Sequence, residues 1–283
     1  MYKFQQNLKS LKSRIKQWNK ESFGDIFQEK KRLDLRIQEV QLEIHRQGST
    51  ADLKSQEWLL IQELNLKEKQ EEALFEQKSR NHWLRDGDRN TNFFHKAIVQ
   101  HRQSNRIDRL KRNDGSVAVA QRELEETLTE YYVDLLEEPA VDRRQAQEEV
   151  LRHIPCLITP EHNQILMRPV DMTELEEAVT QMAKDKAPGP DGFTTNFFQE
   201  GWEWLKDELL SIVENSRKTG GILKAFNATF LTLIPKENGT EDPGKFRPIA
   251  LCNVIYKIIT KVIVNRLRPL LPILISLEQA GFV

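Results

Sequence analysis

The first 80 residues carry one dominant constraint: apolar side chains return every three or four positions, with Glu and Lys filling the faces between them. Leu8, Leu11, Ile15 and Trp18 follow that spacing, and Leu33, Ile37, Val40 and Ile44 continue it as an a/d series. Gln47-Gly48-Ser49-Thr50 interrupts the run. Gly48 suits a helix C-cap, and Ser49 with Asp52 resembles a capping box. A second helix then carries Leu53, Leu60, Leu64 and Leu74 at heptad-like positions, which Glu57, Lys67 and Glu71 interrupt. The expectation is an antiparallel helical hairpin over 1–79 with a thin apolar seam, standing as a separate appendage. So polar a seam makes a weak coiled coil, and the hairpin offers a surface for self-association.

At 283 residues the chain has room for about two structural units. Its net charge of −1 hides strong segregation. Residues 1–79 carry a net +2, residues 80–112 a net +6, residues 113–216 a net −15 and residues 217–283 a net +6. Two basic blocks flanking an acidic one suit a polyanion-binding surface, although solvated helix faces give the same pattern. Cys156 and Cys252 stand in no paired spacing, which excludes a disulfide scaffold and a cysteine-based zinc site and fits a reducing compartment. Met1 to Lys20 has no apolar run and so no secretory signal. No segment approaches the ~18 apolar residues of a membrane span; Leu270 to Leu277 is broken by Pro272. A soluble intracellular chain, nuclear or cytoplasmic and without a membrane partner, is expected.

Residues 80–112 interleave nine cations with Trp83, Phe93, Phe94, His95 and His101. Asn113-Asp114-Gly115 then marks a turn between strands. Arg122 to Val150 reads as one or two acidic helices, Pro160-Glu161 opens another, and Met172 to Lys184 reads as an amphipathic helix with Leu175, Val179 and Met182 inside. Ala187-Pro188-Gly189-Pro190-Asp191-Gly192 dictates turns. A helix bearing Phe197, Phe198, Trp202, Leu205, Leu209 and Val213 follows and closes at Gly220-Gly221, and Phe230 to Ile234 alternates like a strand. Asn253 to Leu267 is a helix with Ile255, Ile258, Ile259, Val262 and Ile263 on a buried face. Arg266 falls inside that apolar arc, and nothing local explains it.

Familiar catalytic patterns are absent. Asp86-Gly87-Asp88-Arg89-Asn90 looks like the start of a calcium loop, but the positions that require Gly and Glu hold Thr91 and Ala97. The six histidines form no metal-ligand spacing, and there is no nucleophile elbow, Walker loop or dinucleotide turn.

Three blocks are informative: Lys184 to Phe193 (KDKAPGPDGF), Leu231 to Lys236 (LTLIPK) and Phe246 to Asn253 (FRPIALCN). In this order and spacing they resemble the fingers region of reverse transcriptases from non-LTR (LINE-type) retrotransposons, those of plant genomes in particular. Val254 to Leu267 and Glu278 to Val283 extend the likeness. Trp83 to Asp88 with Asn90 to His95, and Trp18 to Lys20 with Phe23-Gly24, resemble the segment that joins endonuclease to polymerase in the same polyproteins.

The resemblance implies an RNA-directed DNA polymerase fold in part. The fold class expected is mainly α with a small antiparallel β element: helical hairpin 1–79, a basic then acidic linker region over 80–172, and partial right-hand fingers over 173–283. Lys236 and Arg247 are the candidate nucleotide-binding residues, a lysine at one strand end and an arginine at the start of the next, able to close on the phosphates of a triphosphate. Surface cations at two strand ends is the alternative reading. Two-metal phosphoryl transfer needs clustered carboxylates, which the family supplies from blocks downstream of the fingers. This chain has no Asp-Asp dipeptide, and after Asp242 its only acid is Glu278. No catalytic residue, metal ligand or cofactor is therefore assigned within it, magnesium being expected only for an intact family member, and a fragment inactive by itself is expected. Arg102, Arg106, Arg109, Lys111 and Arg112 are the candidate nucleic-acid contacts, binding RNA or DNA weakly and without sequence preference; a solvated basic face is the alternative.

Overall fold

The computed structural model describes residues 1–79, 91–137, 143–184, 186–237, 239–275 and 279. The fold is mainly α with two small antiparallel sheets, as the sequence leads one to expect. The chain divides into two compact units, Gln6–Arg106 and Met1–Gln5 with Ile107–Val283, where the sequence reading placed three segments with boundaries after 79 and 172.

The first unit holds α1 (Tyr2–Ser22) from Gln6 onward, α2 (Ile26–Gln47), α3 (Ala51–Ser79) and α4 (Thr91–Ser104). The apolar spacing suggests one helix up to residue 47, but the helix breaks at Gly24. Gly24 adopts φ +61°, which L side chains rarely adopt, and Asp25 restarts the helix by accepting from the Phe27 and Gln28 amides. The break is invisible in the periodicity because the apolar spacing resumes beyond it. The turn at Gly48 is present, with φ +85°. The cap of α3 is Thr50 rather than the Ser49–Asp52 box: the Leu53 amide donates to Thr50 Oγ1 at 3.3 Å.

Leu33 and Ile37 are buried on α2, and α3 turns Leu53, Leu60, Leu64 and Leu74 partly inward. Two of the polar seam positions have partners across the hairpin. Glu57 accepts from Gln41 Nε2 at 2.8 Å, and Glu71 pairs with Lys30. Polar groups at a largely apolar seam fix register, because any shift leaves them unpaired.

The second unit begins with β1 (Leu110–Lys111) and β2 (Val117–Ala118), paired antiparallel around the predicted turn, where Gly115 has φ +84° and the Ser116 amide donates to Asp114 Oδ1. Helices α5 (Gln121–Leu136), α6 (Arg144–Arg152) and α7 (Pro160–Met167) follow, then α8 (Met172–Thr180), which stops short of the expected Lys184. The aromatic helix is two helices, α9 (Thr195–Glu200) and α10 (Trp202–Thr219), interrupted at Gly201. After the short α11 (Lys224–Asn227) come β3 (Thr229–Pro235), β4 (Phe246–Cys252), α12 (Val254–Leu267) and the single turn α13 (Leu271–Leu274). Val254, Ile255, Ile258, Ile259 and Val262 on α12 are buried, each worth about 1.5–3 kcal/mol relative to exposure. Ile263, expected on that face, is exposed. Leu175, Phe198, Leu209 and Ile212 complete the core from α8, α9 and α10.

Arg266 lies in the apolar arc because it is fully engaged there. Its guanidinium forks onto Glu174 of α8, Nε to Oε1 at 2.6 Å and Nη2 to Oε2 at 2.8 Å. The remaining donors reach the carbonyls of Leu166, Arg168 and Pro169. All five N–H groups have acceptors.

Candidate nucleic-acid interface

The β3–β4 register pairs Pro235 with Phe246, Ile234 with Arg247, Leu233 with Pro248 and so on to Thr229 with Cys252. Side chains alternate between the two faces of a strand, and directly paired residues share a face. One face therefore carries Leu231, Leu233, Pro235, Phe246 and Pro248. Phe246 is buried there in a cluster with Leu110, Ala118 and Leu124, and Leu233 packs against it. The opposite face carries Phe230, Thr232, Ile234, Arg247, Ile249 and Leu251. The Lys236 amide donates to the Lys245 carbonyl at 2.9 Å, one step beyond the strands. Lys236 thus falls on the second face, diagonal to Arg247. The two predicted nucleotide-binding residues are brought to one face of one hairpin, both exposed, with Ile249 exposed beside Arg247 and Phe230 exposed farther along the same face. Lys236 Nζ donates to the Gly244 carbonyl at 2.9 Å, which holds its ammonium over the connecting loop.

That loop ties itself together. Asp242 Oδ1 accepts from the Gly244 amide at 2.8 Å, and Lys245 Nζ meets Glu237 Oε2 at 3.2 Å. It is also bound to β1: the Lys111 amide donates to the Glu241 carbonyl at 2.8 Å. Leu110 is turned into the core, so its neighbours Arg109 and Lys111 point outward together. Both face Glu241, Arg109 Nε at 3.0 Å from Oε1 and Lys111 Nζ at 4.0 Å from Oε2. A cleft of about 720 Å³ beside this contact is lined by Lys111, Arg112, Tyr131, Glu237, Glu241 and Lys245, among others.

The five predicted nucleic-acid contacts are thus not equivalent. Arg109, just before β1, and Lys111 on it form a pair. Arg112 turns toward α5 instead, with Nε near Thr127 Oγ1, Nη1 on Ser116 Oγ and Nη2 at 3.7 Å from Glu123. Glu123 is in turn held below the usual carboxylate range, first by the Val119 and Ala120 amides that donate to it and then by Arg112. Arg102 and Arg106 belong to the other unit, Arg102 in the last turn of α4 and Arg106 just beyond it, both exposed. The predicted aromatic Trp83 and the calcium-like Asp86 to Asn90 stretch lie outside the described residues, as do Glu278 and Ala280 to Val283.

The Pro-Gly loop anchors the base of the hairpin. Gly189 passes so close to Asn253 that a Cβ would lie 2.5 Å from the Asn253 backbone nitrogen. Asn253 Oδ1 accepts from the Asp191 amide at 3.0 Å, while its Nδ2 donates to the carbonyls of Ala225 and Phe226. Asp191 acts as a turn residue, its Oδ1 accepting from the Phe193 amide. Lys257 Nζ closes the contact on the Ala187 carbonyl at 3.4 Å. Sequence reasoning missed Asn253 as the joint and Glu241 as the partner of β1. Asn253 carried a signal, since an Asn before an apolar helix is a common cap; Glu241 carried none.

Among the described residues no group of three His, Cys, Asp or Glu side chains is placed to hold a metal ion, and no helix is long and apolar enough to cross a membrane. Both cysteines are free.

No family model matches the chain. It is 26% identical over 216 residues, 76% of its own length, to the uncharacterized 149 kDa protein of transposon TX1 from Xenopus laevis. It is 30% identical over 102 residues to a retrovirus-related Pol polyprotein of the type-1 retrotransposable element R2 from Nasonia vitripennis, and 29% identical over 106 residues to that of Bradysia coprophila. The matched regions span 16%, 9% and 12% of those proteins. By sequence, then, the chain is a relative of proteins encoded by non-LTR retrotransposons.

Proposed function

We propose that the second unit forms the fingers portion of an RNA-directed DNA polymerase of the non-LTR type, with the β3–β4 hairpin directed at nucleotide and strand. The observation that carries this reading is the register that puts Lys236 and Arg247 on one exposed face. Two cations set diagonally on one face suit phosphates, and Phe230, exposed farther along the same face, offers a ring to an unpaired base. The reading concerns binding and positioning. The carboxylates that chemistry requires belong, by the resemblance, to other blocks of such a polymerase.

The test is equilibrium binding of a fluorescein-labelled RNA-template/DNA-primer hybrid by the full chain across a salt series. The parent should bind with a steep salt dependence. Lys236→Gln with Arg247→Gln should weaken binding and flatten the log–log slope by about 1–2, the yield of two lost phosphate contacts. Unchanged affinity and slope would remove the hairpin from the interface.

A second reading has its own observation. Helices α2 and α3 leave Leu35, Leu42, Trp58, Leu59 and Leu66 exposed, more apolar surface than a solvated helix pair needs. Self-association through the first unit would cover it. Sedimentation equilibrium of the chain and of Leu59→Gln/Leu66→Gln decides: a monomer in both cases ends this reading.

A further inference from the structure

Arg109 and Lys111 are more than half exposed, with side-chain exposures of 58% and 66%, yet both face one carboxylate. Glu241 presents two oxygens sharing one negative charge, as a phosphodiester does, and one oxygen addresses each cation. The carboxylate is not what fastens the loop. The Lys111 amide already holds the Glu241 carbonyl at 2.8 Å, and the Asp242–Gly244 and Lys245–Glu237 contacts brace the loop from within. What the side chain does is occupy two cations that would otherwise be open to solvent.

We propose that Glu241 is an internal stand-in for a nucleic-acid phosphate: it holds Arg109 and Lys111 in the free protein and yields them when a single strand binds. The inference rests on the nucleic-acid-binding reading above and adds to it a competitor within the chain. An exposed ion pair is weak, so a strand that also gains counterion release displaces it. The displaced carboxylate sits on the loop between Lys236 and Arg247, which the backbone bond to Lys111 keeps in place. A strand on β1 therefore changes the electrostatic surroundings of the hairpin cations as it arrives.

The experiment follows anisotropy of a fluorescein-labelled oligothymidylate of roughly 20 nucleotides, enough to cover a single-strand site, against the full chain over a salt series. Glu241→Gln should tighten binding about two- to tenfold at low salt, the range for losing one or two exposed ion pairs. The log–log slope should stay near the parent's, because once Glu241 has yielded both proteins give the strand the same two phosphate contacts. Glu125→Gln removes the same charge from α5, where its carboxylate accepts from Gln121 and, among the described residues, meets no cation, and should leave the affinity unchanged. Adding Arg109→Gln and Lys111→Gln to Glu241→Gln should abolish the gain. A parental affinity in Glu241→Gln, or an equal gain in Glu125→Gln, overturns the proposal. If neither parent nor variant binds, the nucleic-acid reading falls and the stand-in falls with it. On the unaltered chain, the Arg109 Nε–H resonance should move as the strand is added; a resonance that stays fixed at saturation overturns the proposal without any variant.

Discussion

Arg266 and Glu174 stand 92 positions apart in sequence and meet as a buried two-point ion pair, with the three remaining guanidinium donors on backbone carbonyls. Their side chains are 7% and 10% exposed. In so dry a setting the two charges depend on each other, because the other cation near Glu174, Arg168 at 3.6 Å, is half exposed and compensates it only weakly. Arg266→Met should therefore destabilise the second unit by about 3–5 kcal/mol, since Glu174 stays behind. Arg266→Met with Glu174→Leu should recover much of that loss. Urea unfolding followed by circular dichroism gives both values, and a double variant no better than the single would show that the carbonyl contacts dominate.

Gly189→Ala places a methyl group where the Asn253 backbone already lies. Two of the three nearest neighbours are main-chain atoms of Cys252 and Asn253, and the third, Asn253 Oδ1, is held by the Asp191 amide, so the loop must move. Overpacking of this kind costs about 1–3 kcal/mol. A melting temperature equal to that of the parent would mean that the close approach is not maintained in solution.

Glu214 is drawn down to about 2 from an ordinary 4.5, first by the Arg217 guanidinium that forks onto it and also by the Val170 amide; partial burial opposes both. A folded-state value below the unfolded one gives stability that is complete above about pH 4.5 and is lost as pH falls toward 2. Unfolding free energy should therefore decline over that window. Glu214→Gln should be less stable by about 1.5–3 kcal/mol at pH 7, the worth of hydrogen bonds to a charged group, and should lose part of the acid-side decline. An acid limb identical in the variant would assign the decline to other carboxylates.

The hairpin of α2 and α3 offers a further check. Lys30 and Glu71, like Gln41 and Glu57, join the two helices across an otherwise apolar seam. Replacing all four with Leu should raise helical stability while loosening register and oligomer state, because apolar seams tolerate sliding. Sedimentation velocity should show a broader distribution for the Leu variant; a single sharp species would argue that Leu33 and Ile37 already set the register.

Much of the fold was legible because it is written locally. The β3 strand alternates from Phe230 to Ile234, α12 carries a continuous apolar face, and Gly48 and Gly115 stand where positive φ is needed. The breaks at Gly24 and Gly201 were hidden because the apolar spacing continues on their far sides. The candidate site was half legible. Lys236 and Arg247 could be paired from the strand pattern, since alternation and a short loop decide which face each takes. Arg112 could not be told from Arg109, because the difference is made by Thr127, Ser116 and Glu123, which reach it only in the folded chain. Arg266 was opaque for the same reason, its partner lying on another helix.

Asn253 also determines how force travels through the hairpin. By binding the Ala225 and Phe226 carbonyls, it brings the point where the chain departs toward β3 to the point where it returns from β4. At the far end, the loop is fastened to β1 through Lys111 and Glu241. The hairpin is thus a beam supported at both ends rather than a free flap. Cutting the outer support leaves a cantilever pivoting on one asparagine, and small displacements of Glu241 become tilts of the whole face that bears Arg247.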